Sequence, residues 1–103
     1  MKKFLLIDDH EIVRSGVKNV LQELFKPCEI YEANDEKSAL SQLKIHQYDL
    51  VVMDVQMPGT DTAGLMEYIK TRYPSTRVLM FSMSPENVYA KRFLKAGAMG
   101  FVS

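Results

Sequence analysis

The chain has 103 residues, which is the size of one small domain. Its 47% apolar and 25% charged residues are typical of a soluble globular protein and exclude a disordered or collagen-like chain. Thirteen basic residues balance thirteen acidic residues, so no net charge attracts the protein to nucleic acid or to an anionic membrane.

No segment of the sequence has the character of a membrane span or a secretion signal. The first apolar run, Phe4–Ile7, is far shorter than the about 18 apolar residues of a membrane-spanning helix. Cys28 is the single cysteine, so no disulfide bond can form within the chain. We therefore expect a cytoplasmic protein without a membrane partner.

Short apolar runs alternate with segments of helical periodicity along the chain. The apolar runs predict five strands, at Phe4–Ile7, Cys28–Ala33, Leu50–Met53, Val78–Phe81 and Met99–Val102. The segments between them predict four helices, which are Ile12–Phe25, one capped by Asn34 or Asp35, one capped by Asp61 or Thr62, and one from Ser84 to Gly97. The side chains expected to face inward from the first three helices are Val13, Val17, Val20, Leu21 and Leu24, then Ala39, Leu40 and Leu43, then Leu65, Met66 and Ile69. A parallel sheet wrapped by helices is the simplest α/β fold for this alternation.

Three aspartates follow strands of the predicted sheet. Asp8 and Asp9 come directly after the first strand, and Asp54 ends the third. Sites in open α/β sheets form at the carboxyl ends of strands, so these groups meet if the two strands are neighbours. Two unit charges at roughly 4 Å repel by about 4 kcal/mol at an effective dielectric constant of about 20, so the cluster needs a cation. Oxygen ligands favour Mg²⁺ or Mn²⁺, and we expect His10 to be a polar residue at the helix start rather than a ligand.

An ordered set of five features resembles the receiver domain of two-component response regulators. The set comprises Asp8–Asp9, Val51–Asp54, the turn Met57–Gly59, Ser82 after the fourth strand and Phe101 in the fifth. The likeness covers the whole chain as one receiver domain and is greatest with regulators that carry a C-terminal helix-turn-helix of the nitrate-response type. It implies a flavodoxin-like, doubly wound, five-stranded parallel sheet in the order 2-1-3-4-5.

The resemblance also implies a chemistry for the acidic cluster. Asp54 would accept a phosphoryl group from the phosphohistidine of a sensor histidine kinase. Asp9 and Asp54 would bind Mg²⁺ directly and Asp8 through water, with the backbone carbonyl of Gln56 completing the protein ligands. The ion would neutralise the like charges and stabilise the transferring phosphoryl group.

The same resemblance implies how phosphorylation would be read out. Ser82 would bond a phosphoryl oxygen, and its movement would let Phe101 turn inward, which changes the face formed by the fourth helix and fifth strand. This switch would regulate an output, expected to be transcription. Contact with DNA would occur only through an output domain that these residues do not contain.

Three features depart from the family pattern. The family has a phosphate-binding lysine and a fifth helix after the fifth strand, whereas this sequence ends at Ser103. We therefore expect weakened phosphorylation and an uncovered apolar face that leads to self-association. Thr62 replaces a usual glycine, so we expect a changed or slightly strained turn into the third helix. Met83 replaces a small residue, which would restrict access to the phosphorylation site.

The same residues bear on three other possible functions. An aspartate-nucleophile phosphatase uses an Asp-x-Asp pair, but Gln56 stands where the second acid is needed. A flavin binder of similar fold needs hydroxyls and glycine after the first strand, where Asp8–Asp9 would repel a phosphate. A pseudo-receiver, which binds partners without phosphorylation, stays open as the alternative because the family lysine is missing.

Overall fold

The computed structural model describes residues 1–81 and the backbone of residues 100–102. Its strands are β1 (Lys2–Ile7), β2 (Cys28–Ala33), β3 (Leu50–Asp54), β4 (Arg77–Phe81) and β5 (Gly100–Val102). Its helices are α1 (Glu11–Leu24), α2 (Glu36–Ile45) and α3 (Thr62–Arg72). The predicted fourth helix, from Ser84 to Gly97, lies outside the described residues. None of the described helices is long and apolar enough to span a membrane.

The five strands form one parallel sheet in the order β2-β1-β3-β4-β5, which confirms the predicted order. Strand β1 pairs with β2 on one side and β3 on the other, so Ile7 lies between Ala33 and Met53. The strand order therefore reverses at β1. A crevice forms at such a reversal, beyond the carboxyl ends of β1 and β3.

Both faces of the sheet bury apolar side chains. Along β1, Leu5 and Ile7 join the larger cluster and Phe4 and Leu6 join a smaller one, because successive strand residues point to opposite faces. The helical residues of the larger cluster are Ala39, Leu43, Leu65, Met66 and Ile69, as the periodicity predicted. Burial on both faces explains why the strands are continuous apolar runs rather than alternating ones.

The sequence predicts more inward-facing residues on α1 than the structure buries. Leu21 is 8% exposed and packs in the smaller cluster with the half-buried Val17, but Val20 is 54% exposed and Leu24 is 69% exposed. Val20 lies about 100° around the helix from Leu21, so its side chain turns away from the sheet. Leu24 is the last residue of the helix. Only a narrow stripe of α1 therefore packs against the sheet.

Side-chain caps fix where α2 and α3 begin. Asp35 caps α2 by accepting a bond from the backbone N–H of Ser38 at 2.8 Å, while Ser38 Oγ accepts from the backbone N–H of Asp35. Asp61 caps α3 by accepting from the backbone N–H of Gly64 at 3.0 Å. The sequence left the choice between Asn34 and Asp35 and between Asp61 and Thr62 open, and the structure shows that the two aspartates are the caps.

Candidate phosphorylation and metal site

The three predicted aspartates meet at the crevice between β1 and β3. Asp8 follows β1 and Asp54 ends β3, and both are 1% exposed, whereas Asp9 is exposed. Asp8, Asp9, His10 and Asp54 each offer one ligand atom, and these four atoms all lie within 4.8 Å of one another. The sheet order thus brings together residues that are more than forty positions apart in the chain.

Backbone hydrogen bonds orient the two buried carboxylates. The N–H of Gln56 donates to Asp54 Oδ1 at 2.9 Å, and the N–H of His10 donates to Asp8 Oδ1 at 2.9 Å. The other oxygen of Asp8, Oδ2, is buried and has no hydrogen-bond partner among the described residues. A buried anionic oxygen without a partner is costly. The donor set and this oxygen fit a hard divalent cation.

The environment of Asp54 makes its carboxyl group harder to ionise than a carboxyl group in water when no cation is bound. Burial raises the pKa of Asp54 from 3.8 to about 6, and the nearby charge of Asp8 adds to this rise. The N–H of Gln56 and the charge of His10 oppose it. A perturbed carboxylate in a crevice, beside a second buried acid, is typical of a functional group rather than a surface turn.

The ring of His10 belongs to the acidic cluster, which the sequence did not predict. His10 is the residue before α1, as expected, but its side chain forms no capping bond. Its Nδ1 instead lies 3.0 Å from Asp8 Oδ1 and 2.9 Å from Asp9 Oδ1. The hydrogen bond with Asp8, followed by the charge of Asp9, raises the pKa of His10. The sequence feature that could have predicted this position of the ring is that His10 directly follows Asp8–Asp9.

Arg14 is a second residue that sequence reasoning missed. Its Nη1 donates to the backbone carbonyl of Asp8 at 2.6 Å, and its Nε donates to Glu32 Oε1 at 3.0 Å. Arg14 lies one helical turn after His10, and its side chain is only 15% exposed. It ties the loop that carries Asp8 to the end of β2.

The structure describes only some of the other predicted site residues. The backbone of Gln56 lies at the site through its bond to Asp54, but the role of its carbonyl stays a prediction. Ser82 and Met83 lie outside the described residues. Phe101 lies in β5, where the backbone alone is described. The predicted switch therefore stays a prediction.

The turn into α3 shows no strain at Thr62. Its hydroxyl donates to the backbone carbonyl of Val55 at 3.1 Å, and the residue is 6% exposed. Among the described residues, only glycine has positive φ, and that glycine is Gly59 at 82°. The structure therefore gives no sign of the expected strain at Thr62, whose hydroxyl ties the turn to the residue after β3, and the alternative of a turn that differs from the family's stays a prediction.

We expect Thr62→Val to destabilise the protein by about 1–3 kcal/mol, because it leaves the buried Val55 carbonyl unpaired at nearly constant side-chain volume. Thr71→Val, at an exposed position of the same helix, is the matched control and should change little. Urea denaturation of both variants measures the difference. Equal stabilities would show that the hydroxyl contributes nothing to the turn.

The comparison with known proteins agrees with this geometry. Residues 4–103 match the family described as the response regulator receiver domain, and the chain belongs to that family. It is 35% identical over 99 residues to the Fimbriae Z protein of Salmonella typhimurium, covering 96% of this chain and 47% of that protein. It is also 35% identical over 99 residues to the transcriptional activator protein ExaE of Pseudomonas putida, covering 96% and 46%.

Solved structures show the same fold. The signal receiver domain of a DNA-binding response regulator from Colwellia psychrerythraea superposes with a TM-score of 0.91 at 22% identity, covering 100% of this chain and 86% of that one. The chain spans about half the length of the curated relatives it matches. The family match confirms the receiver domain predicted from the sequence, which is a signalling domain of response regulators.

Proposed function

We propose that Asp54 is the phosphoacceptor of this receiver domain. A carboxylate oxygen of Asp54 attacks the phosphorus of a phosphohistidine on a sensor kinase, the N–P bond breaks, and the histidine nitrogen keeps the electron pair and takes up a proton. An aspartyl phosphate results. The observation that supports this role is the buried carboxylate of Asp54 at the end of β3, beside Asp8 and the half-exposed ring of His10.

We propose that Asp9 and Asp54 bind Mg²⁺ or Mn²⁺ directly, that Asp8 binds through water, and that the Gln56 carbonyl completes the ligands. When bound, the ion offsets the negative charge that the phosphoryl group adds to the site. The buried Oδ2 of Asp8, which has no hydrogen-bond partner among the described residues, supports a cation at this site. Gln56 already holds the other ligand in place, because its N–H fixes one oxygen of Asp54.

We also propose the remaining steps of the signal. Ser82 bonds the phosphoryl group and Phe101 turns inward in response. The output is transcription, through a domain beyond these residues, as the name of the related activator ExaE suggests. Self-association is a further proposal, and the exposed Leu24 and Phe25 at the end of α1 are candidates for that contact. A histidine kinase in the cytoplasm supplies the phosphoryl group.

Acetyl phosphate tests this function directly. The protein is incubated with acetyl phosphate and Mg²⁺, with Mg²⁺ and chelator, or with no metal, and the added mass of one phosphoryl group is measured on the intact chain. We expect labelling only in the presence of free Mg²⁺. Tight Mg²⁺ binding without any labelling, also with a phosphorylated histidine kinase, would favour a pseudo-receiver instead.

The proposed ligand roles predict unequal effects of two substitutions on Mg²⁺ affinity. Asp9→Ala removes a direct ligand and should weaken Mg²⁺ binding about 100-fold or more, whereas Asp8→Ala removes an outer ligand and should cost about tenfold. Titration calorimetry measures both. A larger loss for Asp8→Ala would reverse the assignment of direct and water-mediated ligands.

A further inference from the structure

His10 presents one ring nitrogen to all three carboxylates. Its Nδ1 lies 2.9 Å from Asp9 Oδ1, 3.0 Å from Asp8 Oδ1 and 3.6 Å from Asp54 Oδ2. The backbone of His10 is extended, with φ −102° and ψ 107°, and its ring does not cap α1. The described contacts that orient this ring are therefore those with the acidic cluster.

Hydrogen bonding alone leaves this arrangement incompletely satisfied. Nδ1 carries at most one hydrogen, so it cannot donate well to three acceptors at once. Asp8 Oδ2 adds a buried oxygen with no partner in the described part of the chain. A cation bound by the cluster, with Asp8 reached through a water ligand, would supply partners for these groups.

The spacing of the atoms suits a shared ion. Adjacent ligand atoms of an octahedral ion with bonds of about 2.1 Å are about 3 Å apart. The separations of His10 Nδ1 from Asp9 Oδ1 and from Asp54 Oδ2 are 2.9 Å and 3.6 Å, which are close to that value. Small movements of the ring and the carboxylates would place an ion between them.

We propose that His10 is a ligand of this metal site through Nδ1, and that the resulting nitrogen and oxygen set selects a first-row transition ion over Mg²⁺. The inference rests on the metal site proposed above and adds a ligand that the sequence had not assigned. Imidazole suits the later transition ions such as Co²⁺, Ni²⁺ and Zn²⁺, whereas Mg²⁺ and Mn²⁺ favour oxygen ligands.

Metal titrations of matched histidine variants test the proposal. Co²⁺ and Mg²⁺ are titrated separately into the protein, His10→Ala and His46→Ala by calorimetry at one fixed pH. His46 is the only other histidine and stacks on Tyr31, with ring centroids 4.3 Å apart. We expect His10→Ala to lower Co²⁺ affinity at least about tenfold and to leave Mg²⁺ affinity unchanged, while His46→Ala alters neither.

A measurement on the unchanged protein does not depend on how the variants fold. Bound Co²⁺ is paramagnetic, and a direct bond to Nδ1 should give the ring protons of His10 large through-bond contact shifts, whereas an ion that is only nearby would broaden these signals without such shifts; the signals of His46 should stay in place. Equal loss or equal gain of Co²⁺ and Mg²⁺ affinity in His10→Ala would overturn the proposal, and a gain would mean that the ring competes with the ion. Failure of acetyl phosphate labelling would overturn the proposed function instead, whatever the ratio of metal affinities.

Discussion

Asp54→Asn is expected to abolish acid-labile phosphoryl labelling, whereas Asp61→Asn should leave it intact. Asparagine cannot form an acyl phosphate by attack on phosphorus, but it keeps an oxygen that accepts from the N–H of Gln56. The local geometry is therefore retained while the nucleophile is lost. Labelling by radioactive acetyl phosphate, with and without acid treatment, measures the effect.

Asp61→Asn is a close control for this substitution. Asp61 caps α3 by accepting from the N–H of Gly64, and asparagine can make the same bond. Both variants should therefore fold, which circular dichroism can check. Equal labelling of the two variants would show that the acceptor is not Asp54.

The second large effect is on stability without metal. Asp54→Asn should raise the free energy of unfolding by about 1–3 kcal/mol at neutral pH, because it removes a buried charge beside Asp8. The pKa of Asp54 is raised from 3.8 in the unfolded chain to about 6 in the folded one. The folded state therefore holds the extra proton between these values, and the native protein loses stability as pH rises through that window.

The sign of this pH dependence makes the test specific. The advantage of Asp54→Asn should vanish below pH 3.8 and be complete above about pH 6. Urea denaturation in chelator, with Asp61→Asn alongside, measures the free energy at several pH values. Added Mg²⁺ should stabilise the native protein more than the variant. An advantage that stays constant with pH would mean that burial of the Asp54 charge is not its cause.

Much of the fold followed from local patterns. The strand Cys28–Ala33 agrees with β2 to the residue, and Leu65, Met66 and Ile69 are buried as their spacing predicts. The convergence of Asp8 with Asp54 also followed, since both end strands of a parallel sheet whose order the family resemblance supplied. The strands and their buried residues depend on periodicity, which the sequence records directly, whereas the meeting of the two aspartates depends on the strand order that the resemblance implied.

The rest depends on side-chain direction, which periodicity does not record. His10 directly precedes α1 and Arg14 lies in its first turn, yet their side chains turn back to Asp8. Thr62 departs from the family pattern, but its hydroxyl donates a hydrogen bond to the backbone carbonyl of Val55, seven residues earlier. Val20 fits the helical spacing but lies beyond the part of α1 that meets the sheet.

The most direct test of the account is to locate the phosphoryl group on the chain. The protein is treated with acetyl phosphate and Mg²⁺, reduced with borohydride to convert an aspartyl phosphate into homoserine, and digested for mass spectrometry. We expect homoserine at position 54 and unmodified Asp8, Asp9 and Asp61. Homoserine at any of those three positions, with Asp54 unmodified, would contradict it.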